Sequence, residues 1–160
     1  MRLIVADTSP LVYLVLIRQI EILPALFENI LIPGAVHAEL RNALAPSVVQ
    51  GWALALPPWF DLIEVGDIPD DALCGLGAGE RAAISLALSI RADLVLIDER
   101  KGTKAALAKG LEVAGTLGIL QLAARRGLLD LADAFDRLKA TNFRYRQEIM
   151  DRLLEETSRS

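Results

Sequence analysis

Short runs of consecutive apolar residues alternate along this chain with longer stretches in which apolar residues recur every three or four positions. The first pattern predicts strands buried on both faces, and the second predicts amphipathic helices. Strands are expected at 3–6, 30–32, 62–65, 94–97 and 112–114. Helices are expected at 8–17, 20–28, from Pro33 to about residue 45, at 80–90, 99–109 and 117–126, with two more between 129 and 156 that break near Asn142. Local punctuation supports these bounds. Thr8-Ser9-Pro10 offers capping hydroxyls and a proline for the first helical turn, and Gly110 is a good C-terminal stop. Pro46, Gly51, Pro57 and Pro58 interrupt the next stretch too often for the pattern to settle its structure. The segment 66–79 reads as the one long loop, with acids at Asp67, Asp70 and Asp71.

Strands that alternate with helices predict an α/β protein in three layers, α/β/α, around a mostly parallel sheet. The 160 residues make one domain, with a core over about 1–127 and a helical extension over about 129–156. Composition narrows the class. Apolar residues make up 53% and charged residues 24%, which excludes a disordered chain. The single cysteine, Cys74, excludes an intrachain disulfide and a cysteine-based zinc site and suits a reducing compartment. The apolar stretch 3–17 carries Asp7 and Pro10, is shorter than the ~20 residues of a membrane span, and lacks the flanks of a signal peptide. A soluble, cytoplasmic protein without a membrane role is expected. The formal charge of −4 argues against a general nucleic-acid coat, but not against an enzyme that meets nucleic acid through metal and one local basic patch.

Ligands of open parallel sheets bind beyond the carboxyl ends of the strands. Two expected strands end in a carboxylate there, Asp7 and Asp98. Two more acids, Glu39 and Glu80, fall on or beside the apolar stripe of their helices, where a carboxylate needs a partner or a metal. Each has a plainer explanation: a helix cap for Asp7 and Asp98, a surface ion pair for Glu39, and a favourable helix dipole for Glu80. Together, four converging carboxylates without histidine or cysteine require counter-charge, because like charges raise one another's pKa. Hard divalent cations, Mg²⁺ or Mn²⁺, match an all-oxygen donor set and serve phosphoryl displacement. His37, the only histidine, is expected to pack between helices. Gly77-Ala78-Gly79 does not follow a strand and lacks the Lys-Ser/Thr ending of a phosphate loop.

Three segments resemble the PIN-domain family of metal-dependent ribonucleases, in a branch related to VapC-type toxins of toxin–antitoxin pairs. They are Val5-Ala6-Asp7-Thr8-Ser9-Pro10-Leu11, Gly77-Ala78-Gly79-Glu80-Arg81-Ala82-Ala83-Ile84, and Leu94-Val95-Leu96-Ile97-Asp98-Glu99-Arg100. Ile32-Pro33 followed by Glu39, and Gly115-Thr116-Leu117-Gly118, extend the likeness over about residues 3–127. The resemblance implies a PIN-like fold with a catalytic quartet of Asp7, Glu39, Glu80 and Asp98. Asp7, Glu80 and Asp98 would bind Mg²⁺ or Mn²⁺, with Thr8 or Ser9 beside the metal. Two positions depart from the common pattern of this branch: Glu80 stands where many members have aspartate, and Asp98-Glu99 replaces an Asp-Asp pair. A receiver-type phosphoacceptor lacks its paired acids and lysine here, and a haloacid-dehalogenase-type phosphatase would need an aspartate where Ser9 stands.

Two functions follow as expectations. One is a divalent-metal-dependent endoribonuclease, the toxin of a pair, with RNA and an antitoxin as partners. The other is a PIN-fold RNA- or protein-binding scaffold with little chemistry. Arg100, Lys101 and Lys104, on the helix that starts beside Asp98, and Ser9 are the expected RNA contacts. A homodimer is expected through Leu14, Ile17, Ile20 and Leu23. The C-terminal helices are expected to bind or regulate rather than catalyse.

Overall fold

The computed structural model describes residues 2–64, 66 and 73–159. Five short strands form one sheet: β1 (Ile4–Ala6), β2 (Ile30–Pro33), β3 (Phe60–Ile63), β4 (Leu94–Leu96) and β5 (Val113–Ala114). Their order is β3-β2-β1-β4-β5, and every pairing is parallel. Helices α1 (Thr8–Leu16), α2 (Ile22–Phe27), α3 (Gly34–Leu40), α4 (Ser47–Leu54), α5 (Ala78–Ile90), α6 (Arg100–Ala108), α7 (Thr116–Arg125), α8 (Leu131–Lys139) and α9 (Gln147–Ser158) surround it. No helix is long and apolar enough among the described residues to cross a membrane.

The central strands explain the sheet's position. Ile4, Val5, Ala6, Val95 and Leu96 are fully buried, as strands covered on both faces require. The order reverses direction at β1, so the crevice beyond the carboxyl ends of β1 and β4 is the topological switch point. The Asp7 amide donates to the Leu96 carbonyl at 2.8 Å, so Asp7 leaves the sheet where Leu96 ends.

Several expectations shift. The helix opened by Pro33 stops at Leu40 rather than near residue 45. Asn42 ends it, because its Oδ1 accepts the Leu44 amide at 2.8 Å and Pro46 follows with extended backbone. The unsettled stretch after Pro46 forms α4, and His37 Nε2 lies 3.0 Å from the Ala53 carbonyl oxygen, joining α3 to α4 as a packing histidine. The edge strand starts at Phe60, two residues before the expected start, since Phe60 buries itself against Trp52 and Trp59. Val65, Asp67, Asp70 and Asp71, part of the expected strand end and acidic loop, lie outside the described residues. Leu14, Ile17, Ile20 and Leu23 are all buried in the chain's own core, so they do not form the apolar surface expected of them. The C-terminal helices are not a separate layer. Leu131, Ala134, Phe135, Leu138 and Met150 belong to the same buried cluster as the strands.

Candidate active site

The sheet's switch point gathers the expected acids around Asp7. Asp7 is 3% exposed, and its side chain makes no capping hydrogen bond to α1. The helix-cap explanation therefore does not account for it. Its Oδ1 is buried with no hydrogen-bond partner among the described residues. Burial pushes its pKa up to about 7, and the charges of Glu39, Asp98 and Glu99 push the same way, against the nearby Thr8 amide.

Glu39 comes from the buried side of α3, as its spacing predicted. The Thr8 hydroxyl donates to its Oε2, and the Gly79 amide donates to its Oε1 at 3.0 Å. A Cβ on residue 79 would overlap this carboxylate, so the glycine is what lets α5 begin against Glu39. Glu80 follows directly. Its Oε2 is buried without a partner atom in hydrogen-bond geometry, and burial, contact with the Glu99 carboxyl and the charge of Asp7 push its pKa up to about 7. A Cβ on Gly102 would stand 2.8 Å from Glu80 Oε2 and 2.6 Å from Ile97 Cδ1, so any larger residue there would displace these side-chain ends. Ser85, one turn further along α5, is buried as well.

Asp98 lies just beyond the end of β4 and is held at both oxygens by Thr116, from the amide at 2.7 Å and the hydroxyl at 2.6 Å. Burial raises its pKa, and these two bonds oppose the rise. Glu99 caps α6 by accepting the Gly102 amide at 2.8 Å. Burial pushes Glu99 up, but the Gly102 amide, the Glu80 carboxyl, and the amide and charge of Lys101 outweigh it and hold the group below its usual range.

The quartet of Asp7, Glu39, Glu80 and Asp98 thus converges in one electrostatically coupled cluster. Among the described residues, no three carboxylates stand placed to ligate one ion together. The reason is visible in the partners: Glu39 and Asp98 turn toward protein donors, and Glu80 toward Glu99. The fit to a divalent ion rests on other features. Two buried carboxylate oxygens are orphaned, two carboxyls sit near pKa 7, and every donor is a hard oxygen. Asp7 and Glu80 would hold such an ion, with Asp98 and Glu99 beside them.

The basic residues divide. Arg100 and Lys104 share a depression with Asp98, whereas Lys101 and Lys104 line another with Cys74 and Leu76. Ser9 lines the cleft beside Asp98, Glu99 and Arg100. The far wall of that cleft is Tyr13, Asn142, Phe143 and Arg144, none of which the sequence reading assigned to the site. Glu99 and Thr116 were within its reach, one adjoining Asp98 and the other inside a quoted motif. The three residues from the α8–α9 connection carry no local signal at all.

The PIN-domain family model DUF3368 matches residues 3–159. The chain belongs to the PIN-domain family. The match runs through α8 and α9, consistent with their place in the core of this PIN domain. PIN domains are generally nucleases that use divalent metals. No curated protein is significantly similar to this chain.

Proposed function

We propose that this PIN domain is a Mg²⁺- or Mn²⁺-dependent endoribonuclease that hydrolyses RNA phosphodiester bonds. The observation that carries the reading is the pair of buried, unpartnered oxygens, Asp7 Oδ1 and Glu80 Oε2, inside a four-acid cluster at the sheet's switch point. A divalent ion there would lower the pKa of an attacking water and neutralise charge on the phosphate. Asp7 and Glu80, whose orphaned oxygens await a cation, would hold it. Glu39, fixed by Thr8 and Gly79, and Asp98, fixed by Thr116, keep the cluster's negative field oriented without rearrangement during the reaction. Asp7 and Glu80, whose pKa values burial pushes up to about 7, must lose their protons to ligate an ion, so metal affinity falls at acid pH. Arg100 and Lys104 sit beside Asp98 and offset the repulsion between these acids and a polyanion.

The test is cleavage of a broad RNA pool by the full chain in Mn²⁺. Cutting that EDTA and Asp7→Asn both abolish is expected. No cutting by the wild type under any divalent ion overturns the proposal and leaves an RNA- or protein-binding scaffold as the better reading. We further propose the toxin role with an antitoxin partner. Growth arrest on expression of the wild type, relieved by Asp7→Asn, supports that role, and equal growth of the two strains removes it. The expected homodimer no longer has its named surface, and light scattering at micromolar concentration decides it.

A further inference from the structure

The cleft beside Asp98 encloses about 490 Å³, within the roughly 300–1,000 Å³ of ligand-binding clefts. Its far wall is built by contacts between α1 and the α8–α9 connection. The Tyr13 hydroxyl donates to Asn142 Oδ1 at 3.0 Å, and the Tyr13 and Phe143 rings meet edge to face with centroids 4.9 Å apart at 83°. These two contacts fasten the connection to the helix that begins at Asp7. Aromatic residues make up only 5% of the chain, yet two of them line this one cleft. Two cations, Arg100 and Arg144, flank it, both exposed and neither in an ion pair among the described residues.

We propose that this cleft binds one unpaired nucleotide of the substrate strand, next to the phosphate presented to the acids. Arg100 and Arg144 hold its phosphates, the Tyr13–Phe143 pair meets the base, and the Asn142 amide, oriented by Tyr13, donates to the base edge. The proposal rests on the nuclease reading and names the form of RNA that the site takes. An acid cluster repels a polyanion, so cations in the same cleft must bring the phosphate in. The cleft's aromatic wall meets a base only when that base is unpaired, because the bases of an RNA duplex are stacked inside and present their backbone. The wall adjoins Asp98 and Glu99, so a base seated there sets which neighbouring phosphate reaches the acids.

The experiment uses the full chain with Ca²⁺ in place of Mg²⁺ and a short unpaired RNA carrying 4-thiouridine, compared with a duplex of the same sequence. Photo-cross-links to Tyr13 or to residues 142–144, read by mass spectrometry, are expected. Arg144→Glu is expected to raise Kd for the unpaired RNA at least tenfold and for the duplex less than threefold. Phe143→Ala is expected to raise it at least fivefold, with recovery in Phe143→Tyr. Arg144 is exposed, so its variant keeps the test valid if Phe143→Ala unfolds. Cross-links confined to α6, equal losses for both RNA forms, or no binding of either form overturn the cleft assignment. Expected binding without cleavage in Mn²⁺ overturns the nuclease reading alone. Cleavage whose KM is indifferent to Arg144→Glu and Phe143→Ala overturns the cleft alone.

Discussion

A carboxylate as buried as Asp7, with one oxygen lacking any partner, must be protonated or compensated by a cation. Glu80 is only half-buried, but its Oε2 is buried without a partner, and both carboxyls have pKa values pushed up to about 7. The sign of the pH dependence follows. Between about pH 4 and pH 7 the folded metal-free protein holds protons that the unfolded chain has already released, so its stability falls as pH rises through that window. Thermal melts in EDTA are expected to show a lower midpoint at pH 8 than at pH 5. Added Mn²⁺ should raise the midpoint at pH 8 and change it little at pH 5. Asp7→Asn removes the charge while keeping the shape, so in EDTA at pH 8 the variant is expected to melt above the wild type and to lose most of the Mn²⁺ response. A wild-type midpoint that is flat from pH 5 to 8 would contradict the buried-acid account.

Elements bring these residues together through two glycines and two helix ends. Gly102 lies in the first turn of α6, where a Cβ would meet Glu80 Oε2 and Ile97 Cδ1. Both obstacles are side-chain ends, so Gly102→Ala should fold, with a stability change within about 1 kcal/mol because alanine also favours the helix. The displaced carboxylate should nonetheless reduce Mn²⁺ affinity at least tenfold by calorimetry. The other end of α5 offers a control away from the site. Arg91 closes the helix in a left-handed conformation with φ 54°, while the Ala92 amide reaches back to the Ala87 carbonyl at 2.8 Å. Glycine normally occupies that position. Arg91→Gly is expected to stabilise the protein by about 0.5–1 kcal/mol, a rise of roughly 1–4 °C in Tm for a domain of this size, without effect on metal binding.

Over the whole molecule, the C-terminal helices complete the core and also supply one wall of the cleft. Leu131, Phe135, Leu138 and Met150 are buried, at roughly 1.5–3 kcal/mol each. Their sum rivals the ~5–15 kcal/mol net stability of a domain. A chain ending at Arg126 is therefore expected to show no cooperative melting transition by circular dichroism. A soluble truncation that melts cooperatively would show instead that these helices are dispensable to folding. The exposed ion pairs Arg137–Asp133 at 3.1 Å and Arg152–Glu156 at 3.9 Å add little to this balance.

The sequence by itself determined the layered α/β class, the strands at both sides of the switch point, and the four acids that gather there, Asp7 among them. Each has a local signature: apolar runs that stop at an aspartate, or a glutamate placed on an apolar helical stripe. It also marked Gly79 and Gly115-Thr116 before their contacts were known. The partners of each acid were decided only by tertiary structure. Thr116 lies 18 residues from Asp98, and Gly79 lies 40 from Glu39, so no local pattern links them. The cleft wall and the burial of α1 and α2 were illegible for the same reason. Asn142 meets Tyr13 across 129 positions. The apolar residues of α1 and α2 read as surplus until the strands and C-terminal helices covered them. Periodicity reports which face of an element avoids water, whereas what that face meets depends on non-local packing of the whole chain.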